Sequence, residues 1–272
     1  PNLQEYSVFV QDEWRPRRDL TLNLGLRYDL MKTDAPPVRN PDAQLAAADI
    51  DTSRLDADTN NWGPRLGVAW SPADGRFAVR GGWGLFYGRT PSIMLGTAHS
   101  NNGINIVSLT FTGDAVPTYP GSFSQIPSLG TAARPNIFYI DKDFANSRLM
   151  QANTAVEWQF QRYTSVTVTY LFVDGADLPR SIDRNLGTAS TRTFTLAGSN
   201  TTFPYHFYGP DRPFANFTRV IGFEASAESR YHGLTLELTR RLANHLPYRA
   251  AYTLGKVEAT VPDATAVVPG NA

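Results

Sequence analysis

The chain has no cysteine among its 272 residues, which excludes disulfides and thiolate metal sites. It also lacks any run of about eighteen apolar residues, so no segment can cross a bilayer as a helix. Neither sign of charge is in excess, with 25 Lys and Arg against 25 Asp and Glu. No basic face interleaved with aromatics appears, and nucleic acid is not an expected partner. Histidine is scarce: His99, His206, His232 and His245 are scattered, and none stands at ligand spacing, so no metal is expected. Gly81-Gly82-Trp83-Gly84 lacks the spacing, following helix and lysine of a phosphate loop, and reads instead as glycines that let a strand bend or pack closely. No Gly-x-Ser-x-Gly elbow occurs, so neither catalysis nor a cofactor is expected. No signal-peptide pattern follows Pro1, so either export information has been removed or the chain is part of a longer protein.

What is present is alternation. From Leu20 to Leu30, Leu20, Leu22, Leu24, Leu26, Tyr28 and Leu30 share one face, and Thr21, Asn23, Gly25, Arg27 and Asp29 share the other. A period of two over that length is a strand and not a helix. At roughly 3.3 Å per residue and a tilt of about 45°, such a strand projects onto some 25 Å, the height of the apolar band of an outer-membrane barrel. Hydrophobic residues make up 42% of the chain and mean hydropathy is −0.30. Those values resemble a soluble protein, but a barrel averages an apolar outer face with a polar lumen.

The same unit recurs: two alternating segments, a short turn, then a long polar connection. The hairpins cover about 5–30, 65–87, 150–172 and 231–254. Their expected turns are Arg15 to Asp19, Ser71 to Gly75, Gln161 to Ser165 and Ala243 to Pro247, and the long connections run over about 32–61, 90–147 and 174–230. Sorting of loop length by end is what outer-membrane barrels show, with short periplasmic turns and long extracellular loops. The fold class is therefore all-β: an antiparallel up-and-down transmembrane β-barrel segment of about eight strands. Long loops in compact proteins are usually functional.

Trp14, Trp70 and Trp158 each end an apolar stripe just before a short turn, as a periplasmic aromatic girdle would. Tyr28 and Tyr87, at the opposite strand ends, would then lie near the outer interface. Core packing in a soluble sandwich is the commoner fate of a single strand tryptophan; three in register with sorted loops favour the girdle. Parity assigns Asn23, Arg27, Asp29, Arg65, Arg80, Gln151, Asn153, Glu157, Gln159, Glu237 and Arg241 to the lumen, where most such groups pair with one another. Tyr119, Phe123, Tyr205, Phe207, Tyr208 and Phe214 supply loop aromatics suited to a large amphipathic ligand, or to packing among the loops themselves.

Several phrases carry a family resemblance: Phe9-Val10-Gln11-Asp12-Glu13-Trp14 with Leu22-Asn23-Leu24-Gly25-Leu26-Arg27-Tyr28, then Pro64-Arg65-Leu66-Gly67, Ala69-Trp70-Ser71-Pro72 and Arg80-Gly81-Gly82-Trp83-Gly84-Leu85-Phe86-Tyr87. Tyr231 to Leu238 and Tyr252 to Lys256 continue the series. In their order these phrases resemble the barrel of TonB-dependent outer-membrane receptors, in the branch with a carboxypeptidase-regulatory-like N-terminal domain. That resemblance implies a barrel of about 22 strands closed by a plug, in the outer membrane of a Gram-negative bacterium, importing a scarce large solute with energy from the TonB complex. Residues 1–272 would be a partial barrel, without the plug domain and the remaining strands. The partners expected are outer-membrane lipid, an extracellular solute and, through the full-length protein, the plug domain and the TonB complex. A soluble all-β glycan-binding module and a structural or adhesive outer-membrane protein are the alternatives.

Overall fold

The structure is a computed structural model that describes residues 3–33, 38–72, 75–109, 116–123, 134–241, 246–261 and 267–269. In chain order the elements are β1 (Leu3–Arg17), β2 (Leu20–Thr33), α1 (Ala43–Ala47), β3 (Trp62–Trp70), β4 (Phe77–Tyr87), α2 (Ser92–Ser100), β5 (Ser108–Leu109), β6 (Pro135–Ile140) and β7 (Arg148–Gln161). There follow β8 (Thr164–Asp183), β9 (Ala189–Thr195), β10 (Thr202–Tyr208), β11 (Arg219–Arg240), β12 (Tyr248–Ala259) and β13 (Val267–Pro269). The eight long strands β1, β2, β3, β4, β7, β8, β11 and β12 form one antiparallel meander in which each pairs with the next. The sheet is open, because β1 and β12 each pair on one side only among the described residues.

Register sorts the two faces across the whole sheet. One row of cross-strand partners reads Leu20, Trp70, Val79, Val156, Val168, Leu236, Tyr252. The adjacent row, facing the other way, reads Thr21, Ala69, Arg80, Ala155, Thr169, Thr235, Thr253. A slip of one residue in any strand would move its apolar set to the polar face, so the pattern itself fixes the pairing. The apolar face stays exposed: Val8 is 64% and Leu236 53% accessible, and no second layer covers either among the described residues. The described residues therefore form no packed core of the soluble-sandwich kind on that face.

The short turns are tighter than the sequence suggests. Arg15, Pro16 and Arg17 belong to β1, with a bulge between Trp14 and Arg17, leaving Arg18 and Asp19 to turn the chain. Gln161 and Thr164 are paired, so Arg162 and Tyr163 make the β7–β8 turn. Gly75 takes φ +65°, the left-handed conformation the β3–β4 turn needs. The fourth turn, with Ala243, Asn244 and His245, lies outside the described residues.

At the opposite end the connections are not polar coil throughout. Residues 174–183 and 219–230, expected as loop, extend β8 and β11, which stay paired as far as Asp183 and Ile221. β6 adds to the outer part of β11 in parallel, Asn136–Ile140 against Arg219–Phe223. Around it the loops bury their own apolar side chains in two clusters, Leu45, Ile50, Ile137, Tyr139, Phe214, Phe217 and Val220, and Met94, Leu95, Ala98, Ile140 and Phe223. Asn185 ties this layer together: its Nδ2 donates to the carbonyls of Phe217 at 2.8 Å and Phe214 at 3.2 Å, and its Oδ1 accepts from the Phe214 N–H at 2.8 Å.

Candidate functional site

The polar face of the sheet carries the parity-assigned residues, and many of them are paired. Arg80 meets Glu157 across β4 and β7 at 3.2 Å. Arg27 and Asp29, on one face of β2, bond at 2.8 Å. Glu237 accepts from Arg249 at 2.7 Å and from Thr239 at 2.9 Å. Asn23 and Asn153 lie in a row of glycines: a Cβ added at Gly67 would come within 3.3 Å of Asn23 Cβ, and one at Gly82 within 2.6 Å of Asn153 Oδ1. The Gly81-Gly82-Trp83-Gly84 stretch thus makes room for polar side chains of neighbouring strands. Gln151 occupies the rung opposite Gly84. Gln159 and Arg241 belong to the short-turn end, Gln159 donating to the Arg162 carbonyl at 2.6 Å and the Arg241 N–H donating to Tyr163 O at 2.9 Å.

Among the charged residues of this end and face that parity did not assign are Arg249, Arg89 and Glu5. Arg249 follows Tyr248, an apolar-face position, and the same parity that placed Glu237 also places Arg249. Arg89 lies two residues past β4, in what reads as loop, and holds Glu5 at 2.8 Å. Arg89 and Glu5, with Arg27, Asp29 and Arg65, line a cavity of about 180 Å³ at the long-loop end.

Aromatic side chains mark both ends of the apolar face. Trp14, Trp70 and Trp158 are exposed beside the short turns. Trp70 lies 6.1 Å from Phe77 and Trp158 5.7 Å from Phe160, ring to ring. Trp70 Nε1 donates to Asp19 Oδ2 at 3.1 Å and so links adjacent turns. At the far end Tyr28 pairs with Trp62, which lies between the expected connection, ending at about 61, and the expected strand, starting at 65. Tyr87 faces Arg148 at the end of β4.

The loop aromatics separate into three settings. Tyr119 is 93% accessible, and Phe123 is also exposed. Tyr205, Phe207 and Tyr208 lie on β10, which among the described residues pairs only with β9. Phe194 stacks on Phe203 at 5.4 Å, Tyr205 adjoins Phe194 at 6.1 Å, and Arg192 lies 3.4 Å over the Phe207 ring, all on one face of that hairpin. Tyr208 points to the other face, opposite Ala189. Phe214 departs from the expectation of exposed aromatic surface: at 7% accessibility it is part of the loop core, because Asn185 clamps its backbone and its side chain joins the buried cluster that includes Val220 and Tyr139.

Charge in the loop layer is structural in character. Glu224 is buried with Arg184, Arg180 at 3.8 Å and Ser226 at 3.1 Å. Burial pushes the neighbouring Tyr139 phenol up to about 12, against the pull of Arg184. Among the described residues no group of three His, Cys, Asp or Glu could hold a metal ion.

A family model described as an outer membrane beta barrel domain matches residues 2–268. No curated protein matches the chain. Among solved structures the chain is similar to the FrpB iron transporter from Neisseria meningitidis (F3-3 variant), with 13% identity and a TM-score of 0.52, over 94% of this chain and 26% of that one. It is similar also to the outer membrane transporter YddB from Escherichia coli, with 12% identity and a TM-score of 0.52, over 94% of this chain and 25% of that one. At such identities the likeness carries the fold alone. The chain spans about a quarter of the length of these solved chains.

Proposed function

Because the chain belongs to the outer membrane beta barrel domain family, we propose that it forms wall and outer loops of a TonB-dependent receptor barrel, whose full-length form binds and imports a large scarce solute. Its location is the outer membrane of a Gram-negative bacterium. The observation that carries the reading is the two-faced meander: an exposed apolar face, an opposite face of ion pairs and glycines, and connections sorted by length between the two ends. In this reading Trp14, Trp70 and Trp158 form the periplasmic girdle, and Tyr28 and Tyr87, joined by Trp62, face the outer interface. The paired lumen side chains face a plug supplied by the rest of the protein. Tyr119, Phe123, Tyr205 and Phe207 offer aromatic surface to the solute, and Tyr208 lies on the other face of β10. No step of this function is a chemical transformation.

Comparing solutes depleted from growth medium by wild-type cells, by cells lacking the full-length receptor and by cells lacking TonB tests the proposal. At least one solute should remain in the medium for both deletions alike. Identical depletion by all three strains would instead leave a structural or adhesive role. The loop assignment is checked separately by a membrane-impermeant maleimide, which should label a cysteine at Tyr205 on intact cells and one at Asp19 only after the outer membrane is opened.

A further inference from the structure

At the long-loop end of the polar face three guanidinium groups share one cavity. Arg27 on β2, Arg65 on β3 and Arg89 beyond β4 line it with Glu5 and Asp29. Both carboxylates are already engaged, Asp29 by Arg27 Nε at 2.9 Å and Nη2 at 2.8 Å, and Glu5 by Arg89 at 2.8 Å. Arg65 has no carboxylate partner among the described residues; its guanidinium carbon lies 4.6 Å from the centre of the Phe86 ring. Three arginines against two acids leave the cavity with one uncompensated positive charge.

The sequence builds this arrangement. Gly84 is the rung partner of Arg65, and a Cβ there would lie 3.2 Å from Arg65 Cγ and 3.2 Å from the Phe86 ring edge. Glycine therefore lets the arginine stem lie along the sheet and bring its head to the aromatic ring. Stacking uses the flat face of a guanidinium and leaves its edge donors free, and that planar fork matches a carboxylate or phosphate with two parallel hydrogen bonds.

We propose that this cavity is an anion subsite, in which Arg65, with its uncompensated charge, receives a carboxylate or phosphate group of the imported solute, while Arg27 and Arg89 keep Asp29 and Glu5 engaged so that neither acid neutralises it. The inference rests on the transport reading above. The same chemistry would be met by an acidic side chain from elsewhere in the full-length protein, and the test separates the two sources.

The purified full-length receptor in detergent is titrated calorimetrically at low ionic strength with citrate and with inorganic phosphate as probes. Saturable binding of at least one probe is expected, weakened about tenfold or more by Arg65→Gln and less by Arg65→Lys. The melting temperature and the heat-dependent gel shift of each variant report whether it has folded, and Arg65→Lys keeps the test open if Arg65→Gln does not. Absence of binding by either probe, or binding that both variants leave unchanged, overturns the proposal. Absence of binding combined with a lower melting temperature for Arg65→Gln assigns the site to an acidic side chain of the protein itself, which also overturns it. Binding is read without uptake, so failure here leaves the transport reading standing. Failure of the medium-depletion experiment with anion binding intact would remove transport instead.

Discussion

Tyr28 and Trp62 face each other across the β2–β3 ladder with ring centroids 4.6 Å apart, and the Tyr28 hydroxyl donates to the Thr59 carbonyl at 3.0 Å. In the same ladder Leu20 pairs with Trp70, at the end where Trp70 Nε1 binds Asp19. From Leu20 to Tyr28 the strand advances about 26 Å at roughly 3.3 Å per residue, or about 20 Å along the membrane normal at a tilt of about 40°. That approaches the roughly 25 Å height of an outer-membrane apolar band. Indole and phenol groups with a polar edge and an apolar body lie at both limits of the band, where such side chains are favoured.

Depth of the five tryptophans should follow from this register. Trp83 pairs with Leu66 and Ala152, midway between the two aromatic levels, whereas Trp14, Trp62, Trp70 and Trp158 lie at the limits. In single-tryptophan variants of the full-length protein in vesicles, bromines deep in the acyl chains should quench Trp83 most. Bromines near the headgroups should quench the other four. Equal quenching of all five by shallow bromines would mean that the sheet does not cross the membrane at this tilt.

Neighbouring residues on opposite faces should respond oppositely to charge. Leu234 lies on the exposed apolar face, and Thr235 on the polar face bonds Thr253 at 2.9 Å. Leu234→Arg should cost about 2 kcal/mol or more in reversible urea unfolding from vesicles. Thr235→Arg, which gives up one exposed hydroxyl bond, should cost about 1 kcal/mol or less. Equal costs would contradict the assignment of lipid to the Leu234 side.

Strand alternation made the meander legible in the sequence, since a buried or lipid-facing stripe and its register follow from parity alone. Arg80 with Glu157, and Arg27 with Asp29, were placed on the polar face for the same reason. The loop layer was not legible. Phe214 and Tyr205 look alike in a polar, glycine-rich context, and what separates them is the contact of Asn185 with Phe214, Phe217 and Thr218, which are distant from it in sequence. β6 was missed because its parallel partner, the outer end of β11, lies far along the chain. Arg89 was missed because parity loses its meaning beyond the end of a strand.

Asn185 should therefore matter more to the loop layer than to the wall. It is fully buried, and Asn185→Ala would remove three carbonyl contacts and leave the Phe214 N–H without its acceptor. A loss of about 3 kcal/mol in local opening free energy is expected, from buried groups left unpaired. Hydrogen exchange should rise over residues 211–218 while β2 and β3 keep their protection. Unchanged exchange in that segment would show that the apolar cluster alone holds it.

Acid should loosen the opposite side of the same layer through Asp42. Its carboxylate accepts from Asn216 Nδ2 at 2.7 Å and from the N–H groups of Gln44 at 2.8 Å and Leu45 at 3.3 Å, capping α1 and joining it to the loop before β11. The bond from Asn216, helped by the two N–H donors and opposed by burial, holds this carboxyl below its ordinary value of 3.8. The folded state thus binds the proton less readily than the unfolded one. The contribution is complete above the ordinary carboxylate range and disappears as pH falls from about 4 through the lower folded value. Asp42→Ala should cost about 1 kcal/mol at neutral pH as a lost cap. Asp42→Asn keeps an acceptor oxygen but cannot titrate, so protease cleavage of the 43–61 segment should rise less steeply with acid than in the wild type. If wild type and Asp42→Asn show the same acid limb between about pH 3 and 5, other carboxylates govern the opening and the Asp42 to Asn216 bond is not its trigger.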